Sequence, residues 1–110
     1  MFSAELKKGS TEMLILSLLD GRPRHGYEIG KLIEARSGGR LTVALPTLYP
    51  ALLRLENRGW IKGRWVERAG ERERCFYRLT PEGRRVLAEK RRTWQAYVNA
   101  VNEVMGGSDA

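Results

Sequence analysis

Thiol and imidazole are nearly absent. The 110-residue chain has one cysteine, Cys75, and one histidine, His25. An intrachain disulfide is therefore impossible, and a reducing cytoplasm is the expected location. One Cys and one His leave a dedicated zinc site without ligands, so no metal or other cofactor is expected. Long hydrophobic runs are missing too. The apolar stretch Met13 to Leu19 is seven residues between Glu12 and Asp20, where a membrane-spanning helix needs about 20. No basic segment leads into a cleavable apolar one, so neither a secretory leader nor a membrane partner is expected. Paired carboxylates, a nucleophile beside a base and a phosphate-cradling glycine loop are lacking, which excludes an enzyme by expectation. Cys75 has no second His or Asp to activate it and reads as a small core residue. Acid is the scarcer charge: 13 Asp and Glu against 20 Lys and Arg, a net charge of +7. A surface this basic favours a polyanionic partner.

What is present suffices for one domain. The chain is 42% hydrophobic and 30% charged, enough for a core. After a short lead-in over Met1 to Lys8, the residues Ser10-Thr11-Glu12 open a helix that is apolar nearly all round and hence buried. Asp20 to Pro23 ends it. A second helix starts at His25 and Tyr27 and runs to Arg36, with Ile29, Leu32 and Ile33 inward. His25 reads as a neutral hydrogen-bonding side chain at the helix start, with a pH switch as the alternative. Leu41 to Val43 fits a short third strand beside a hairpin.

The hairpin follows a third helix opened by Pro46. Leu48, Ala51, Leu52 and Leu55 fall at helical spacing and face inward. Thr47, Tyr49, Pro50, Arg54, Asn57 and Arg58 face outward, a set suited to phosphates and base edges. Pro50 fits the first turn, whose amides lack intrahelical partners. Arg58 closes this helix and Gly59 supplies a left-handed cap. Ile61 to Glu67 and Arg74 to Leu79 then alternate as two strands around a glycine turn. One face carries Ile61, Trp65, Cys75, Tyr77 and Leu79; the other is largely basic. Lys62, Arg64, Arg68, Arg72 and Arg74 supply the charge. Trp60 closes the core. Thr80-Pro81-Glu82 starts a last helix with an N-cap, a proline and an acid. In it Leu87, Arg91, Trp94, Val98, Val101 and Met105 recur at steps of four and three, a heptad seam with Arg91 its one polar member. So small a domain has no internal partner for that seam, and a second copy of the chain is the economical one. The expected fold is mainly α (α+β): a winged helix-turn-helix over residues 1–80, a C-terminal dimerisation helix over 81–105 and a flexible tail over 106–110.

Three segments carry a resemblance: HGYEI at 25–29, LTVALPTLYPALLRLENRGWI at 41–61 and YRLTPEGRRVL at 77–87. In order and spacing they resemble the PadR family of bacterial transcriptional regulators over roughly Leu14 to Trp94. The resemblance implies a homodimeric winged helix that binds double-stranded DNA at an inverted repeat as a repressor. Its third helix would enter the major groove and its wings touch the flanking backbone, with His25 and Tyr27 supporting from the second helix. The short C-terminus is similar to the subgroup with one dimerisation helix and no effector domain, whose members often bind planar aromatic compounds at the dimer interface. Trp94 would then hold such an effector or, alternatively, fill the dimer core. Ala44-Leu45-Pro46 departs from the small residue the family usually has there. The competing function is a winged-helix module for protein or ligand binding that has lost specific DNA recognition.

Overall fold

The computed structural model describes residues 10–106. It contains α1 (Ser10–Leu19), β1 (Arg24–His25), α2 (Gly26–Arg36), α3 (Leu45–Asn57), β2 (Ile61–Val66), β3 (Arg74–Leu79) and α4 (Pro81–Gly106). The lead-in over residues 1–8 and the tail beyond Gly106 lie outside the described residues. Among the described residues four helices carry a small antiparallel sheet of order β1-β3-β2. Among the described residues no helix is long and apolar enough to cross a membrane.

The core lies where α1, α2 and α3 meet the root of the hairpin. Ile15, Leu16, Ile29, Leu48, Leu52, Leu55, Ile61 and Leu87 are its largest wholly enclosed side chains. Leu48, Ala51, Leu52 and Leu55 all look inward, as their spacing requires. The end of α3 closes doubly. The Trp60 amide donates to the Leu55 carbonyl at 3.1 Å and the Gly59 amide to that of Glu56 at 2.9 Å. Gly59 has φ +79°, the left-handed conformation that this cap demands.

Four local expectations are corrected. The third strand is Arg24–His25, paired with Tyr77 and Phe76, and residues 41–43 are not a strand. Arg24 is anchored there: its Nε donates to the Leu18 carbonyl at 2.6 Å, and it pairs with Glu28. Leu41 and Val43 pack against the core instead. Helix α3 starts one residue early, at Leu45, with extended Ala44 as a cap that offers no side-chain bond. Pro50 therefore lies inside the helix, and it has no N–H to give the Pro46 carbonyl. Cys75 is half-buried, outside the core cluster.

Helix α4 is fastened to the end of α3. The Thr80 hydroxyl donates to the Gly59 carbonyl at 2.6 Å and accepts from the Gly83 amide at 3.0 Å. The Thr80 amide donates to the Trp60 carbonyl at 3.1 Å. Gly83 is required: a Cβ there would lie 1.9 Å from the Trp60 carbonyl oxygen. Leu87, expected in the dimer seam, is enclosed in the chain's own core because the first turns of α4 pack against α1 and β3. The core thus crosses the expected division at residues 80/81.

Candidate nucleic-acid interface

The outward side of α3 has two ridges, each at four-residue spacing. Leu45, Tyr49 and Leu53 form one, which ends at Asn57; all four are exposed. Pro46 and Pro50 form the other, which continues to Arg54 and Arg58. Thr47 is exposed beside them. Leu53 is 58% exposed and was not among the expected contacts. Its position, one residue past the buried pair Ala51-Leu52, is the signal that could have placed it outward.

The two arginines are not free. Glu12 of α1 reaches across: its Oε1 accepts from Arg58 Nη1 at 2.9 Å and its Oε2 lies 3.7 Å from Arg54 Nε. A single carboxylate therefore holds both cations of the helix. Glu56 faces the hairpin, where its Oε2 accepts the Gly63 amide at 2.8 Å. Gly63 fits tightly, since a Cβ would lie 2.7 Å from Cys75 Sγ.

The hairpin divides its charges by face. Register pairs Lys62 with Arg78, Arg64 with Phe76 and Val66 with Arg74. Lys62, Arg64 and Arg78 look away from α3, because the alternate positions Ile61 and Gly63 look toward it; Arg74 starts from that same face but reaches the groove rim beside His25, its Nη1 3.0 Å from His25 Nε2. Lys62 and Arg64 therefore do not join the α3 surface. Arg72 and Arg74 do: with Leu45, Tyr49, Trp65, Cys75 and Tyr77 they line an open groove between α3 and the wing. Arg68 lies on the outer side, its guanidinium 5.7 Å from the Phe76 ring centre. Trp65 is on the inner face as the alternation required. It is nevertheless 66% exposed, because the hairpin projects past the domain there. Burial, with help from the neighbouring Cys75, pushes the Tyr77 phenol well above its usual pKa and keeps it neutral.

His25 joins three elements. It pairs in β1, caps α2 by accepting the Glu28 amide at Nδ1 (3.2 Å), and meets Phe76 edge-on. Burial first, then the Arg74 guanidinium, holds its pKa below the ordinary value, with Glu28 opposing. Tyr27 is exposed, stacked beside His25 and under Lys31 Nζ. Gly26 gives Tyr49 its place, since a Cβ there would lie 2.9 Å from Tyr49 Cε1. Among the described residues no group of three or more His, Cys, Asp or Glu could hold a metal ion.

On α4 the exposed seam begins beyond Leu87. Arg91 pairs with Asp20 at 3.2 Å. Trp94 is 48% exposed, its ring 6.3 Å from that of exposed Tyr97. Val98 and Val101 are partly exposed and Met105 is open to solvent.

The model of the transcriptional regulator PadR-like family matches residues 15–89. A transcriptional regulator from Clostridium thermocellum is 33% identical; the likeness covers 96% of this chain and 99% of that one, with a TM-score of 0.87. A PadR family transcriptional regulator from Eggerthella lenta is 35% identical over 94% of this chain and 88% of its own, with a TM-score of 0.80. Bacillus subtilis PadR, solved in complex with operator DNA, is 27% identical; 71% of this chain and 45% of that one are covered, with a TM-score of 0.65. The family match runs from α1 through the wing into α4, and the chain belongs to the PadR-like family of transcriptional regulators.

Proposed function

We propose that this regulator binds double-stranded DNA as a homodimer at an inverted repeat, and represses where that site overlaps a promoter. The observation that carries the reading is the groove shared by α3 and the wing, with Tyr49 on one wall and Arg72 and Arg74 on the other. A helix beside a basic hairpin suits a major groove flanked by phosphates. Bacillus subtilis PadR, to which the chain is similar, was solved with operator DNA. In this reading Thr47, Tyr49, Pro50 and Asn57 meet base edges. Arg72 and Arg74, with Arg54 and Arg58, serve the backbone beside α3, and Lys62, Arg64 and Arg68 serve it only from the outer face of the wing, while His25 and Tyr27 brace α2. Residues 81–105 form the dimerisation helix beyond its packed first turns, through Arg91, Trp94, Val98, Val101 and Met105. The exposed Trp94–Tyr97 pair supports a further step, a planar aromatic effector held between the two copies of α4.

Titration of labelled duplex DNA across salt tests the core of this reading. Affinity should fall steeply with salt. Tyr49→Ala should narrow the gap between operator and random DNA. Arg72→Ala should weaken both alike and make the salt slope shallower by about one unit. Salt-insensitive binding, or a footprint without two-fold symmetry, would count against it.

A further inference from the structure

We infer that α3 reads its site chiefly through thymine methyl groups, a deepening that rests on the proposed DNA binding. Leu45, Tyr49 and Leu53 stand on one exposed ridge, with Pro46 and Pro50 on the next. A surface helix ordinarily gives such positions to polar residues. In duplex DNA the apolar group of the major groove is the C5 methyl of thymine. A hydrogen-bonding base edge pressed against leucine or proline loses its water and gains no partner. A methyl in the same place gains burial. The ridge therefore favours thymine and penalises the other bases.

Two features commit this surface to DNA. The groove beside the ridge is rimmed by Arg72 and Arg74 with Glu73 between them, a net positive edge that complements phosphates. The ring of Tyr49 is also fixed against Gly26, where even a Cβ would lie 2.9 Å from Cε1. The middle member of the ridge is thus held in place, which lowers its own ordering cost on binding. The hydrogen-bonding contribution comes from the margins, Thr47 and Asn57.

The probe is the tightest duplex recovered by the protein from a random-sequence pool. It is remade with deoxyuridine in place of thymidine, first throughout and then position by position. Uracil keeps the pairing and loses only the methyl. Affinity should fall about fourfold for each contacted methyl, at a few positions in each half of the site. Leu53→Ala, at an exposed position that leaves the core intact, should bring the thymine-to-uracil ratio to unity at one or more of those positions. Tyr49→Phe should leave the ratio unchanged. Equal affinity for the thymine and uracil duplexes overturns the inference while leaving DNA binding intact. So does a loss spread evenly along the duplex, which indicates readout of shape. Self-association abolished by Leu53→Ala without a change in the ratio would assign the ridge to a second copy. Failure to bind any duplex overturns the proposed function as well.

Discussion

Glu12 is the residue on which the charge of α3 turns. It lies 46 positions from Arg58 and neutralises part of what would otherwise be the most cationic stretch of that helix. The pairs are half-exposed, so their share of stability is small, below about 1 kcal/mol each. Their consequence is for binding. If Arg54 and Arg58 meet phosphates as proposed, two guanidiniums held by one carboxylate would exchange that partner only where the backbone is well placed, which would restrain attachment to arbitrary sequence. Glu12→Gln removes the charge and keeps the shape. The expected outcome is tighter binding to random DNA, a salt slope steeper by about one unit for each phosphate gained, and a smaller operator-to-random ratio. Fluorescence anisotropy against salt on both duplexes measures all three. Unchanged or weaker binding to random DNA would show that Glu12 instead prearranges the arginines.

The elements meet at His25, and their junction should respond to pH. The cap of α2 needs an unprotonated Nδ1, since it accepts the Glu28 amide. Protonation would remove that acceptor, set a positive ring at a helix N-terminus, and place it beside Arg74, whose Nη1 is 3.0 Å from Nε2. The folded pKa is therefore lowered, so between the folded and unfolded values the unfolded chain binds more protons. The contribution of His25 is complete above the ordinary imidazole pKa and is lost as pH falls below it. Urea unfolding at pH 7 and pH 5 should show a larger loss for the wild type than for His25→Asn, which retains a capping acceptor without the titration. Equal losses would leave the junction without a pH role. The same junction marks the limit of what the sequence discloses. Helix α3, its Gly59 cap, the alternation of the hairpin strands and the Thr80 cap were legible because each is set by residues within one turn or one strand. The two-residue β1 has no alternation to read. It is fixed by Arg24 reaching back to Leu18, a contact that exists only after α1 and α2 pack. Leu41 and Val43 alternate like a strand and were spent on the core. In the groove between α3 and the wing, Tyr49 and Arg72 were nominated by chemical type and do lie together. Leu53, the outlook of Trp65 and the capture of Arg54 and Arg58 depend on which neighbours cover or reach them.

At the scale of the molecule, α4 is a lever fixed at one end. Its 26 residues extend about 39 Å, and only the first turns enter the core. That end is bound to the close of α3 through Thr80, Gly83 and Trp60. Arg58 of α3 and Lys90 of α4 lie against the Trp60 ring, 5.0 and 5.6 Å from its centre. A change in how two copies of α4 pack would thus be passed to the spacing of the two α3 helices. The free end carries Trp94, Tyr97, Val98 and Val101, an apolar stretch that the other described residues leave at least partly exposed. Joining two such faces buries it, and a planar aromatic compound between the Trp94 side chains would change the packing. Operator and effector would then weaken each other by the same factor. Substituting both Val98 and Val101 by Asp puts four carboxylates into the joined seam, at a cost of several kcal/mol. That is comparable with the roughly 8 kcal/mol that holds a micromolar dimer. Sedimentation should show monomers at micromolar concentration, and operator binding should be lost with the dimer. Trp94→Leu, in contrast, should remain dimeric. It should bind acridine orange, read by quenching of Trp60 and Trp65 emission, at least tenfold more weakly than wild type. A dimeric Val98→Asp/Val101→Asp protein would move the interface elsewhere on α4 or off it. Equal dye affinity in wild type and Trp94→Leu would leave Trp94 as packing between the subunits, and the regulator without an effector at that seam.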